Sequence, residues 1–498
     1  MVFQNLKTGK VQYRVGIVLA ILCLSVALAA GAPTAQADNV RKIGGQLPSG
    51  ALYNMLIPDN WNGAVLLFNH GHRSGPENPV LDVEQENPLT FDPPFYTLLD
   101  LGYAVIGSNY SQVGWAVEVA VPEQLAVLDE FERRFGRASR TITFGESMGG
   151  LITVKLIEQH PARFDGAMPM CGSVAGLLGM NNQALDAVFA LKWLVDPESN
   201  LRIVNIKELH PGPVTPGDED SMHDEPEAMF ALLKKAAATP QGRARAFLAS
   251  VFNQITYWTD PKQPQPGHNI DDETLEEIQI RMIEAFPAGG FFPRRSIESR
   301  AGGNGCWNTG IDYRVQLERS GQIDLVKRAY EKAGLNLEED LETLAKAPRI
   351  AADPRALDYI WNHYVPSGNI HRPVLTLHTV ADRYTPSNYE AGYAQYVDRA
   401  GRSDLLRTVF TNYSGHCAFT EPQTAAAIQA LDHKITSGSW QKATVDALNR
   451  AAERIGSADK YRTRTAESWG GAVDPLFTHF EPVMMLRPCS RCECEGKP

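Results

Sequence analysis

The chain alternates between two hydrophobic rhythms. Ala51 to Pro58 (ALYNMLIP), Gly63 to Asn69 (GAVLLFN), Tyr103 to Tyr110 (YAVIGSNY), Thr141 to Phe144 and Phe164 to Cys171 (FDGAMPMC) are short apolar runs of strand length. Between them, Pro93 to Leu101 predicts a short helix, Glu118 to Phe135 an amphipathic one, and Leu151, Val154, Leu156 and Ile157 the apolar stripe of a third. Continuous apolar runs suit central strands covered by helices on both faces. The alternation therefore predicts an α/β fold with a mostly parallel, doubly wound sheet. Ala51–Pro58 and Gly63–Asn69, joined by a short link, are expected to pair.

From Gly172 to about Asn369 the alternation stops. Helix-like segments follow one another there, at Asn182–Leu194, Pro226–Ala238, Gln241–Phe252, Glu273–Ala285 and Leu325–Ala333, around an aromatic, glycine-rich piece from Phe286 to Trp307. This predicts a helical cap inserted into the sheet domain. Strand signals resume at Pro373–Thr379 (PVLTLHT) and Leu405–Thr411 (LLRTVFT), with helices from about Ser387 and over Glu421–Ile435. The boundaries expected are 1–37 for a leader, 38–172 and 370–456 for the two parts of the sheet domain, 173–369 for the cap and 457–498 for a cysteine-containing tail.

The first 37 residues read as a secretory signal peptide: Lys7, Lys10 and Arg14, an apolar core from Val15 to Ala30, and Ala35-Gln36-Ala37 as a cleavage site. Removing three positive and no negative charges takes the net charge from −11 to −14. That balance argues against nucleic acid as a partner. The later chain has no apolar run long enough to span a bilayer, so no stable membrane insertion is expected after cleavage. The expected location is periplasmic or secreted. Of the 7 Cys, Cys23 lies in the leader; Cys171, Cys306, Cys417, Cys489, Cys492 and Cys494 form an even set that suggests disulfides in an oxidising compartment. No fourth ligand stands near the last three, and the acidic cluster Asp218-Glu219-Asp220 reads as solvated surface, so neither a metal nor any other cofactor is called for.

The chemistry concentrates in Thr141–Gly150, TITFGESMGG. A strand runs into Gly145-Glu146-Ser147-Met148-Gly149, and a helix leaves it. The five-residue pattern arises readily by chance; the flanking strand and helix make it a nucleophile elbow, in which the serine sits at strained angles and the flanking glycines let strand and helix approach. Ser147 is the candidate nucleophile. Asp382, in the loop after Pro373–Thr379, is the candidate acid, and His416, leaving Leu405–Thr411, the candidate base. His378 lies inside a strand and His433 inside a helix, where structural roles are expected. The backbone N–H groups of Met148 and His72 are candidate oxyanion donors. The side chains of His70 and His72 are expected to pack on neighbours. Tyr110 and Trp115, near another strand end, are candidate substrate-binding residues.

The order Ser147, Asp382, His416, together with the elbow, the His70-Gly71 loop and the cap before the acid strand, resembles the α/β-hydrolase superfamily over nearly the whole mature chain. The resemblance implies an α/β-hydrolase fold with an eight-strand core, and an exported serine esterase that cleaves carboxylic esters through an acyl-enzyme on Ser147. The substrate would be a small-molecule or oligomeric ester. A serine peptidase or amidase with the same triad is the alternative, ahead of an acyltransferase or a catalytically silent binding protein. The His416-Cys417 pair is similar to that of the tannase and feruloyl esterase group, where a cysteine after the histidine bonds one preceding the serine. Here Glu146 holds that place, so that bridge cannot form. Cys171, at the end of the strand beside the elbow, is the alternative partner for Cys417, which requires Cα atoms within roughly 7 Å.

Overall fold

The computed structural model describes residues 40–73, 96–206, 224–261, 265–267, 269–290, 294–456 and 476–489. The leader, the acidic cluster Asp218–Asp220, Cys492 and Cys494 lie outside them. Before the insertion come β1 (Val40–Gln46), β2 (Leu52–Pro58), β3 (Ala64–Asn69), α1 (Tyr96–Asp100), β4 (Ala104–Ser108), α2 (Val117–Phe135), β5 (Arg140–Glu146), α3 (Met148–Gln159) and β6 (Gly166–Met170). The insertion carries α4 (Leu177–Val195), α5 (Asp224–Ala237), α6 (Pro240–Phe252), α7 (Asp272–Gly290), α8 (Arg294–Ala301), α9 (Tyr313–Arg319), α10 (Ile323–Ala333), α11 (Leu337–Lys346) and α12 (Pro354–Tyr364). After it come β7 (Val374–Ala381), α13 (Asn388–Arg399), β8 (Leu406–Ser414), α14 (Glu421–Ser437), α15 (Val445–Ile455) and β9 (Phe477–Thr478).

One sheet holds all nine of these strands, in the order β1-β2-β4-β3-β5-β6-β7-β8-β9. From β4 to β8 every neighbour is parallel. The edges are antiparallel: β1 on β2, β2 on β4, and β9 on β8. The pairing expected between β2 and β3 does not occur, because β4 lies between them. β3 instead takes β4 and β5 as parallel neighbours, and β2 runs antiparallel on the outer side of β4. Each residue of β3 is buried, and its alternate side chains enter two separate cores, as in a central strand covered by helices on both faces. Val65 and Leu67 pack with Leu128 of α2 and Leu151 of α3. Ala64, Leu66 and Phe68 pack on the opposite face with Leu98 of α1, Ile428 of α14 and Leu448 of α15.

The first of those cores continues into the insertion, where Leu185 and Phe189 of α4 and Phe247 of α6 join it. No helix among the described residues is long and apolar enough to cross a membrane. The described part of the C-terminal segment is built into the fold: β9 closes the sheet edge, and the Arg487 guanidinium lies 2.5 Å from buried Asp186 of α4. The Cys489 amide donates to the Tyr396 hydroxyl of α13 at 2.7 Å.

Candidate active site

The elbow glycines are fixed by one backbone carbonyl. A Cβ on Gly145 would lie 2.5 Å from the Asn69 oxygen, and one on Gly149 only 2.0 Å from it. Neither position admits a larger residue while β3 stays where it is, since such contacts are far inside van der Waals range. The Asn69 amide, wholly buried, adds donors to Thr143 Oγ1 at 2.9 Å and Thr153 Oγ1 at 2.8 Å, so the end of β3 holds both the strand and the helix of the elbow. Ser147 turns between them at φ 58° and ψ −119°, a region costly for a residue with a Cβ. Its amide donates to Met170 O of β6 at 3.0 Å.

The three sequence candidates meet at the carboxyl ends of β5, β7 and β8. His416 Nε2 stands 2.9 Å from Ser147 Oγ, and His416 Nδ1 stands 2.7 Å from Asp382 Oδ2. A carboxylate only accepts, so Nδ1 carries the proton and Nε2 is left to accept the serine hydroxyl. Asp382 is completely buried. Burial pushes its carboxyl up, but the neighbouring His416, with His378 and the Thr385 amide, holds it below the usual carboxylate value. The Tyr384 and Thr385 amides donate to its other oxygen at 2.8 and 3.0 Å. A register shift between Thr379 and Ala381 bends β7 just before the acid, as bulges do beside sites that need a side chain re-aimed. Gly415 N donates to Ala381 O at 2.8 Å and Thr379 Oγ1 to Gly415 O at 2.9 Å, fastening the histidine loop to β7.

Cys417 is disulfide-bonded to Cys171, with Cα atoms 5.2 Å apart. This is the pairing expected from the position of Cys171 at the end of β6. Cys489 is disulfide-bonded too, whereas Cys306 is buried and free, so the even set does not pair throughout. Cys417 Sγ sits 3.5 Å from His416 Nε2.

The His70-Gly71-His72 backbone runs beside Ser147: a Cβ on Gly71 would come within 3.2 Å of Ser147 Cβ. Met148 opens α3, so its N–H belongs to the unpaired first turn of a helix, whose dipole favours negative charge. The His70 ring stacks on Tyr110 at 3.8 Å, and burial holds its pKa well below the ordinary value. The Tyr110 hydroxyl donates to His70 O at 3.2 Å, placing this residue as a support of the loop. His72 lies 5.7 Å from the Trp115 ring; burial, then the charge of Arg300, push its pKa down to about 4, so its imidazole is neutral at pH 7. The Trp115 loop is held by the insertion, through Ser296 Oγ on its amide at 3.0 Å and Arg300 on Val113 O at 2.7 Å. His378 is buried within β7 and His433 lies in α14. Sequence reasoning passed over Asn69 and Thr385. An asparagine closing an apolar strand before a glycine loop was the available signal for the first; nothing marked the second.

No protein-family model matches the chain. It is 30% identical over 444 residues to the o-phthalyl amidase of Xanthobacter agilis, which covers 85% of this chain and 94% of that one. Among solved structures, feruloyl esterase B from Aspergillus oryzae superposes with a TM-score of 0.40 at 13% identity, over 82% of this chain and 86% of that one. The acylaminoacyl peptidase of Pyrococcus horikoshii gives 0.32 at 10%, over 84% and 41%. With that amidase aligned along most of both sequences, and with this sheet order and elbow, the chain belongs to the family of the Xanthobacter agilis o-phthalyl amidase and is a hydrolase of the α/β-hydrolase superfamily.

Proposed function

We propose that this protein is a serine amidohydrolase that cleaves an amide of a carboxylated aromatic acid of the o-phthalyl type, through an acyl-enzyme on Ser147. The observation that carries the serine mechanism is the hydrogen-bonded line Ser147 Oγ, His416, Asp382. His416 Nε2 takes the hydroxyl proton as Ser147 attacks the carbonyl, and Asp382 stabilises the imidazolium that forms. The Met148 and His72 amides hold the oxyanion, each worth roughly 3 to 4 kcal/mol at such sites. The same Nε2 then returns its proton to the leaving amine, and water attacks the acyl-enzyme by the reverse route.

The amide preference is supported by the relative's activity as named, and departs from the ester expected from the sequence. The ester remains the second reading, because an alkoxide leaves more easily than an amine and the same residues serve both. Export is supported by the leader-like N-terminal sequence and by the Cys171–Cys417 disulfide, a bond that persists in oxidising compartments.

The test compares the purified protein with Ser147→Ala on three substrate sets: o-phthalyl amides, aryl esters and aminoacyl anilides. Wild type is expected to turn over the first and to react with a fluorophosphonate. The variant should lose on the order of a millionfold in turnover. A variant that still labels and hydrolyses removes Ser147 from the mechanism; a wild type active only on esters restores the second reading.

A further inference from the structure

Four donors surround the buried Asp382 carboxylate, and only three of them follow from the reaction or from the turn. Two are backbone amides of the loop, and the third is His416 Nδ1. The fourth is the hydroxyl of Thr385. It stands 2.9 Å from Asp382 Oδ2, the oxygen that also receives His416, and 3.3 Å from His416 Nδ1 itself. It also lies 2.9 Å from the backbone carbonyl of Cys171. Thr385 is 3% exposed. One buried hydroxyl thus touches the acid, the base, and the end of β6 where the disulfide to the histidine loop is anchored.

We propose that Thr385 is a positioning residue for the Asp382–His416 pair: its one hydroxyl proton, shared between Oδ2 and the Cys171 carbonyl, completes the hydrogen bonding of the carboxylate from a point set against the end of β6, so that both the direction of the carboxylate and its hold on the imidazole depend on it. The inference rests on the acyl-enzyme reading above. Its physical basis is that a buried carboxylate must have its lone pairs met by protein donors, since water does not reach it. Without the hydroxyl, Oδ2 keeps a single donor, and the uncompensated charge draws the imidazole proton more strongly. The other titratable and charged groups around the pair are His378 on β7, Tyr384 with its ring 5.1 Å from that of His416, Arg383 stacked on Tyr384 at 5.2 Å, and Tyr389 of α13, which the Asp382 charge affects. None of them replaces the missing bond.

The experiment measures pH profiles of kcat and kcat/KM for wild type, Thr385→Val and Thr385→Ser on whichever amide or aryl ester the wild type hydrolyses, with thermal midpoints as a check on folding. Valine keeps the shape and the loop amide but removes the hydroxyl. Expected in Thr385→Val is a fall in kcat of roughly tenfold with KM unchanged, and an acidic limb displaced upward by about one pH unit, the scale of one hydrogen bond to a charged group. Serine, which retains the hydroxyl, should restore both. The inference is overturned if the valine variant keeps the wild-type limb and kcat, or if the serine variant falls as far as the valine one, since methyl packing would then be the cause. A wild type with no Ser147-dependent hydrolysis or fluorophosphonate labelling overturns the acyl-enzyme reading, and this inference with it. A wild type that labels normally beside an unaltered valine variant overturns the role of Thr385 alone.

Discussion

Removal of the Cys171–Cys417 bond should lower both stability and turnover, and the two effects have separate sources. The cysteines are 246 residues apart in sequence. Closing a loop of that length removes enough unfolded-chain entropy to contribute about 5.5 kcal/mol at 25 °C. The compact unit Asn39–Pro498 spans about 460 residues, and at roughly 2.1 cal/mol/K per residue its unfolding entropy is near 1 kcal/mol/K, so the loss converts to a fall of about 6 °C in Tm. Replacing both cysteines with alanine, followed by scanning calorimetry, measures it. Turnover has a different dependence. Cys417 follows His416 directly, and untying it frees the histidine loop at one of its anchors, while the bonds to Ala381 and Thr379 remain. We expect kcat to drop about tenfold at 25 °C, well below the melting range. A midpoint within 1 °C of wild type would refute the loop-closure argument, and an unchanged kcat beside a lowered midpoint would refute the tether.

Two further outcomes follow from the packing. Glu390 of α13 is 1% exposed, and burial pushes its carboxyl up to about 8, only partly offset by Thr376. Its folded-state value is raised, so its own contribution to stability is full below pH 4.5 and falls by about 1.4 kcal/mol per pH unit up to pH 8, about 5 kcal/mol in all. Glu390→Gln should remove that contribution, seen as a thermal midpoint that falls less steeply with pH between 5 and 8 than that of wild type; equal slopes in both proteins would count against a neutral buried acid. Gly149→Ala should prevent the elbow from closing, because its Cβ would meet Asn69 O at 2.0 Å. Fluorophosphonate labelling is expected to fall by at least 100-fold, and near-normal labelling would show that β3 can retreat.

The parts of this molecule that were legible in the sequence are those governed by local rules. Strands β3, β4 and β6 read as short apolar runs because every residue in them is buried, and the elbow announces itself because two glycines are compelled by one carbonyl. The first strand, VRKIGGQ, carries no such signal: it lies at the sheet edge, half-buried at best, with charged residues and two glycines. The two-residue β9 is too short for any pattern. The β2–β3 adjacency failed for a different reason. A short link suggests a hairpin, yet β2 and β3 are both buried on both faces, so the local pattern does not separate them, and strand order is a property of the whole sheet. Within the insertion, α12 did have local signals, Asp353 capping the Arg355 amide and Pro354 in the first turn, whereas the polar α8, RRSIESRA, has an apolar stripe of one residue, Ile297.

Apart from Ser147, whose strained angles the elbow pattern predicts, the backbone at the strand ends is what no local rule could supply. Tyr110, Ser147, Cys171 and Cys417 all have positive φ, at 58°, 58°, 42° and 52°. They follow β4, β5, β6 and β8, around the same site. None is a glycine, and each such conformation costs on the order of 1 to 2 kcal/mol. Each is held by a contact from another part of the chain: Tyr110 by the His70 stack, Ser147 by Met170 O, and the cysteines by one another. A glycine would relieve the strain at any of the four positions and remove the side chain that the site needs there: the hydroxyl, the sulfur bridge, the ring under the loop. The strain is therefore concentrated where the chemistry is, and the sheet and the disulfide are what hold it in place.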